Sequence, residues 1–189
     1  IDLTRNGVDY ASLEPVLDRP IITDPDEAAR FVKGLGAEAK QRAAWLKANG
    51  RQKITRFTAD RPLRVVVWEE VQSLNDNANM KKEFRRWVQE ARPVGSAPVL
   101  ITQYPTVDNV DGTLRAQVSN VWSGRVRNYT ESGVIFGPLP EGEGPHTLRI
   151  GPGGCYADVD GPDLLQGRTW HMPAGWLAAH VKVLGGVRV

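Results

Sequence analysis

The chain has 189 residues, a formal net charge of +2 and 24% charged residues, which suits one domain with a sizeable core or one domain with an appendage. This charge balance does not by itself indicate a nucleic-acid partner, and one cysteine excludes a disulfide framework and is typical of a reducing, intracellular environment. No apolar run approaches the roughly 20 residues that span a bilayer, and no secretory signal is present.

The first segment, Ile1-Asp2-Leu3, looks like the end of a strand whose beginning is absent, and the chain has no initial methionine. We therefore expect a fragment or a missing upstream part. A helix start follows at Thr23–Glu27, where Asp24 can cap, Pro25 suits the first helical position and Glu27 completes a capping box. Gly50 marks the expected end of this helix, whose predicted apolar stripe consists of Ala28, Val32, Leu35, Ala39, Ala43 and Leu46.

The stretch RVVVWEE, residues 64–70, has four apolar residues that run directly into Glu69 and Glu70. Such a run predicts a strand buried on both faces, as in a parallel sheet. Acids at its end lie at the carboxyl edge, where open α/β sheets bind ligands. Taken alone, the pair has two interpretations: a magnesium- and water-binding pair of a nucleotide hydrolase, or a strand that ends in solvent.

An amphipathic helix is predicted from about Asn77 to Ala91. Its apolar face consists of Met80, Phe84, Trp87, Val88 and Ala91, and its basic face of Lys81, Lys82, Arg85 and Arg86. The commoner explanation of such a basic face is exposure to solvent. Contact with a DNA backbone is the alternative.

Three further strands are predicted downstream. Pro98–Gln103 closes on the polar Thr102 and Gln103, a weaker strand spans Val121–Val126, and a late one enters through the glycine turn at Gly153-Gly154. Strands that alternate with helices predict an α/β fold with a mostly parallel sheet flanked by helices. We expect a core over residues 1–158 and an appendage over 159–189 that packs on it.

These segments, in this order, resemble the RecA-like motor domain of the FtsK/SpoIIIE family of double-stranded DNA translocases. The resemblance covers about Ile1 to Ala157. The matching pieces are Ile1-Asp2, Thr23-Asp24, the Walker B-like Val65–Glu70, the Thr-Gln strand Ile101–Thr106, Glu131-Ser132 in the place of Asp-Ser, and Ile150–Tyr156 in the place of Gly-x-Gly-Asp-Met-Leu.

The resemblance implies roles for the site residues, with ATP and Mg²⁺ as cofactors. Glu70 would activate water, Glu69 would support magnesium and Gln103 would sense the γ-phosphate. Thr102 and Asp2 would bind nucleotide. Independently of the resemblance, Arg125 and Arg127 alternate on a predicted strand and could reach a neighbour's nucleotide, although salt bridging is the commoner explanation. The implied partners are double-stranded DNA and further copies of the chain in a six-membered ring. The implied location is cytoplasmic, with any tether to the inner membrane in a segment outside the chain.

The chain departs from the family pattern at several positions. Glu69 replaces an aspartate, Tyr104 an arginine, and Gly133 the arginine of Asp-Ser-Arg, which puts the trans-acting arginine in doubt. With these substitutions the chain is more similar to conjugative-plasmid members of the TraB type than to the chromosome-segregation translocase. The phosphate-loop motif G-x-x-x-x-G-K-[ST] does not occur, so we expect a P-loop core that lacks its first strand and phosphate loop, and no ATPase activity from this chain alone.

Two other functions stay open. The chain could be a non-catalytic remnant that serves as a ring-interface or partner-binding module, and a phosphate loop in the upstream sequence would exclude this. It could also be an unrelated doubly wound enzyme, which the strand order would reveal.

Overall fold

The computed structural model describes residues 1–110, 112–149, 151–159, 164–171, 173, 175, 176, 179 and 180. The chain forms two compact units, Ile1–Gln103 and Tyr104–His180. The elements of the first unit are a 3-10 helix Val8–Val16, α1 Pro25–Ala48, β1 Arg64–Trp68, a second 3-10 helix Val71–Asp76, α2 Ala78–Ala91 and β2 Ser96–Leu100. Those of the second unit are α3 Gly112–Arg115, β3 Asn120–Ser123, α4 Tyr129–Phe136, a short 3-10 helix Pro145–Thr147, β4 Gly154–Val159 and β5 Leu165–Arg168.

Helix α1 begins as predicted. Asp24 is its N-cap, with the side chain accepting a hydrogen bond from the Glu27 amide at 2.7 Å, and Pro25 occupies the first turn. The buried stripe differs from the prediction at one turn, because Ala43 is exposed and Arg42 is buried. The Arg42 guanidinium is satisfied by Glu38 at 2.7 Å and by three backbone carbonyl groups, which makes its burial possible.

The first unit contains a parallel pair of strands, β1 and β2, in which Val66 lies opposite Pro98. On the other side of β1, Asp2 forms a parallel bridge with Glu69, and the Glu69 amide donates to the Ile1 carbonyl at 2.9 Å. The start of the chain therefore lies beside β1 as one more short stretch of extended backbone. The predicted α/β class with a parallel sheet is confirmed.

Helix α2 covers one face of β1. Trp68 is fully buried and meets the Phe84 ring edge-on, with ring centroids 4.9 Å apart. The prediction that β1 is buried on both faces is wrong for the described residues. Val65 and Val67 are 51% and 37% exposed, because they alternate with Val66 and Trp68 and point to the face opposite α2.

The second unit contains an antiparallel sheet in the order β3-β4-β5, which the sequence pattern did not predict. Strand β4 enters through the glycine turn as expected. Strand β3 is shorter than predicted and ends at Ser123, whose partner Tyr156 lies close to that turn. Helix α4 is capped by Asn128, which accepts from the Glu131 amide at 2.9 Å.

The domain boundary predicted after residue 158 stays a prediction. Strand β5 pairs with β4 inside the second unit, whereas much of the range 159–189 lies outside the described residues. Within the described part of the chain, no helix combines the length and apolar character that crossing a membrane requires.

Candidate active site

The paired acids end β1 in a buried position rather than in solvent. Glu69 is 7% exposed and Glu70 is 6% exposed. Strand β2 runs parallel to β1, so Thr102 and Gln103 leave the sheet at the same carboxyl edge as the acids. The structure thus brings together the two strand exits that the sequence analysis singled out.

Glu70 has an unusual backbone conformation. Its φ of 50° and ψ of 68° are left-handed, and it stands directly before the 3-10 helix Val71–Asp76. Only a few per cent of non-glycine residues have a positive φ, and such strain of about 1–3 kcal/mol is concentrated at functional sites. The turn carries the Glu70 side chain across the exit of β2.

The Glu70 carboxylate accepts two hydrogen bonds on one oxygen. Gln72 Nε2 donates to Oε2 at 2.6 Å, and the backbone amide of Gln103 donates to the same atom at 3.2 Å. The Thr102 hydroxyl donates to Gln72 Oε1 at 3.0 Å, which links the exits of both strands through one amide side chain. Sequence analysis did not identify Gln72, because no local pattern distinguishes a glutamine four residues beyond the end of a strand.

Glu69 is held by a tyrosine from the first 3-10 helix. The Tyr10 hydroxyl donates to Glu69 Oε2, and these residues are 59 positions apart in the chain. Burial, followed by the hydrogen bond to the anionic Glu69, raises the pKa of Tyr10 well above its ordinary value. Tyr10 was also missed, since the contact depends on long-range folding.

Asp2 is buried beside Glu69, but its carboxylate is occupied. It accepts hydrogen bonds from the Thr4 hydroxyl and from the backbone amides of Thr4, Arg5 and Gly7 at 2.9–3.1 Å. Burial acts to raise the pKa of Asp2, but these bonds to the charged form outweigh it, so the pKa lies below its ordinary value. The hydrogen bonds of Asp2 therefore stabilise the loop of residues 4–7, which precedes the helix that carries Tyr10.

Gln103 and Thr102 differ in exposure. The Gln103 side chain is exposed at the edge of the sheet, and the hydrogen bond from Gln103 to Glu70 comes from its backbone amide. Thr102 is half-buried and its hydroxyl faces Gln72. Gln103 is therefore free to meet a ligand at this edge, while Thr102 is part of the network around Glu70.

The carboxylates fit a magnesium ion that is bound mainly by water and phosphate. Among the described residues, no group of three or more His, Cys, Asp or Glu side chains could hold a metal. Magnesium in nucleotide sites needs only one or two carboxylates, because it keeps waters and binds phosphate oxygens. Glu69 has one oxygen, Oε1, that accepts no hydrogen bond from the described residues and could bind a magnesium-held water.

The predicted basic residues lie in two places. On α2, Lys82 and Arg86 are exposed whereas Lys81 and Arg85 are half-buried, and Arg86 pairs with Glu90 at 3.3 Å. Arg125 and Arg127 lie in the second unit, and the prediction that they alternate on a strand is wrong, because β3 ends at Ser123.

Curated relatives with partial similarity are DNA translocases. No protein-family model matches the chain. The DNA translocase FtsK of Campylobacter jejuni subsp. jejuni is 29% identical over 151 residues, which cover 75% of this chain and 15% of that protein. The DNA translocase FtsK of Lactococcus lactis subsp. cremoris is 28% identical over 138 residues, covering 65% of this chain and 18% of that protein. The chain thus spans under a fifth of the length of these relatives.

Two solved structures share the fold. The pCW3 conjugation coupling protein TcpA, solved as a monomer form with ATPgS, has a TM-score of 0.76 and 18% identity over 95% of this chain and 54% of its own. The cytoplasmic domain of the Thermomonospora curvata Type VII secretion ATPase EccC has a TM-score of 0.63 and 17% identity over 82% of this chain and 19% of its own. The comparisons confirm the predicted fold class and the resemblance to FtsK-type DNA translocases.

Proposed function

We propose that this chain is part of an ATP-driven motor that translocates double-stranded DNA, with Glu70 as the general base of hydrolysis. The observation that carries the proposal is the strained, buried Glu70 at the shared exit of two parallel strands, beside Glu69 and Gln103. The relatives named as DNA translocases support DNA as the substrate of the motor, and the ATPgS in the coupling-protein structure supports ATP as its nucleotide.

In this proposal each residue at the sheet edge has one task. Glu70 accepts a proton from the attacking water as that water approaches the γ-phosphate. Glu69, held by Tyr10, would hold a magnesium ion through water molecules, and the ion would neutralise the developing charge on the phosphate. Gln103 contacts the γ-phosphate, Thr102 acts through Gln72, and Asp2 contributes by holding the loop that precedes Tyr10.

The proposed assembly is a ring of copies, six by resemblance, that surrounds DNA in the cytoplasm. Any anchorage to the inner membrane would belong to a segment other than these residues. Contact with DNA would be mostly electrostatic, and on α2 the exposed Lys82 and Arg86 are the cations available to a phosphate backbone. Arg125 or Arg127 would supply positive charge to a neighbour's nucleotide.

The test is ATP hydrolysis by the full-length protein with and without duplex DNA. The proposal predicts magnesium-dependent hydrolysis that duplex DNA of any sequence stimulates, with a stimulation that falls as salt is raised. Absence of hydrolysis at saturating ATP, magnesium and DNA would contradict the motor and favour the non-catalytic module.

A further inference from the structure

The hydrogen bonds around Gln72 have a fixed direction. The Thr102 hydroxyl donates to Gln72 Oε1 at 3.0 Å, so this atom is the acceptor of the amide, and Nε2 is left to donate. The Nε2 donor meets Glu70 Oε2 at 2.6 Å, a short distance typical of a bond to a charged acceptor. The Gln72 amide thus has one orientation, set by the Glu70 carboxylate that accepts from Nε2, and the Thr102 hydroxyl donates to the Oε1 atom that then faces it.

Both donors to Glu70 meet the same oxygen. Gln72 Nε2 and the Gln103 amide share Oε2, and Oε1 accepts no hydrogen bond from the described residues. Among those residues, the fully buried side-chain polar atoms that lack a hydrogen-bond partner are the Nε atoms of Arg64 and Arg115. Glu70 Oε1 also lacks a partner among them but does not belong to this buried set, so it is accessible to solvent. The network therefore fixes the position of Glu70 Oε2 by two hydrogen bonds and leaves Oε1 able to accept a hydrogen bond from a water molecule.

We propose that Gln72 is a positioning residue that aims Glu70 Oε1 at the attacking water, and that Thr102 acts through Gln72. This inference rests on the proposed function, because it assigns Glu70 as the base. It adds a residue that touches neither nucleotide nor water and that acts only through the carboxylate. Small displacements of a catalytic group are costly, by as much as about 10²-fold in rate for 1 Å.

The test in the full-length protein uses Gln72→Met, which keeps the side-chain length but removes both hydrogen bonds. We expect kcat for ATP hydrolysis to fall roughly 10- to 100-fold while KM for ATP stays within a few-fold, because nucleotide binding does not involve this amide. Thr102→Val should lower kcat in the same direction, and Thr102→Ser, which restores the hydroxyl, should recover most of it.

A second readout needs no hydrolysis and uses the 189-residue chain. Thr102→Val should lower the Tm by a few degrees in the parent and have a smaller effect in the Gln72→Met background, because the hydrogen bond that the two residues share is already lost there. Additive shifts in Tm would contradict the network even if Gln72→Met reduced activity for another reason.

The outcomes separate this inference from the proposed function. If Glu70→Gln abolishes hydrolysis but Gln72→Met and Thr102→Val leave kcat within a few-fold, the positioning role is wrong and the base assignment stands. If Glu70→Gln itself leaves the rate unchanged, the proposed function fails first. If Gln72→Met does not fold, the Thr102→Ser and Thr102→Val pair decides, and equal kcat values for these two would overturn the positioning role.

Discussion

At the scale of single residues, the two buried acids that follow β1 each have a partner that the strand pattern does not reveal. Tyr10 donates a hydrogen bond to Glu69 from 59 positions away in the chain, and Gln72 donates one to Glu70 from two positions away. A buried carboxylate is tolerated only when donors replace the water it has lost. The positions of the acids could be predicted from the strand pattern, but their partners could not.

Asp2 gives a pH-dependent prediction. Its folded-state pKa is lowered, so its contribution to stability is present above the unfolded value of about 4 and is lost as the pH falls through the folded value. Asp2→Asn should therefore lower the Tm by several degrees at pH 7, and the difference from the parent should shrink in acid. Thermal unfolding across pH measures this, with the exposed Asp76→Asn as control. An equal deficit at every pH would contradict the account.

Tyr10 predicts the opposite dependence. Its pKa is raised, so its contribution is present below the unfolded value of about 10 and is lost as the pH rises through the higher folded value. In an absorbance titration of the four tyrosines, Tyr10→Phe should remove the step that occurs at the highest pH. Tyr104→Phe is the control and should leave the highest-pH step in place. If that step were still present in Tyr10→Phe, Tyr10 would not be the tyrosine that is hydrogen-bonded to Glu69.

At the scale of elements, the two long helices α1 and α2 were predictable because their signals are local, whereas the shorter α3 and α4 were not predicted. Asp24 and Pro25 mark the start of α1, and the apolar spacing of α2 matches its buried face of Met80, Phe84, Trp87, Val88 and Ala91. The antiparallel sheet was not predictable, because Asn120 pairs with Val159 far along the chain and no short hairpin turn connects them. The open face of β1 was missed because a run of valines has no alternation to distinguish its faces.

Helix α2 carries a prediction about DNA. If its exposed Lys82 and Arg86 contact the phosphate backbone, Lys82→Gln with Arg86→Gln should weaken DNA binding of the full-length protein equally for all sequences. The slope of log affinity against log salt should flatten by about one per lost phosphate contact. Lys33→Gln with Lys40→Gln, exposed on α1, is the matched control. An unchanged slope would assign the α2 face to solvent.

At the scale of the whole molecule, the fold is shared with the coupling protein TcpA and the secretion ATPase EccC. The sheet edge with Glu69, Glu70 and Gln103 is present, whereas the phosphate-loop motif does not occur among the 189 residues. Fold likeness at 17–18% identity does not decide activity, so the chemistry must be tested at the site.

The 189-residue chain should not hydrolyse ATP when purified alone. Phosphate-loop amides and lysine supply most of the contacts to the β- and γ-phosphates, and they are absent from its sequence. The measurement is phosphate release at high ATP and magnesium, with the full-length protein as the positive control. Steady turnover by the chain that is lost in Glu70→Gln would contradict this expectation.

The most direct measurement is the effect of Glu70→Gln on the full-length protein, with hydrolysis and ATP affinity determined at matched magnesium. Glutamine keeps the shape of the side chain but removes the basic oxygen. Hydrolysis should fall roughly 10²–10⁴-fold, while the affinity for ATP should stay within a few-fold of the parent. Glu69→Gln should instead shift the magnesium dependence. A Glu70→Gln rate within a few-fold of the parent would contradict the assignment of Glu70 as the base, and with it the proposed motor chemistry.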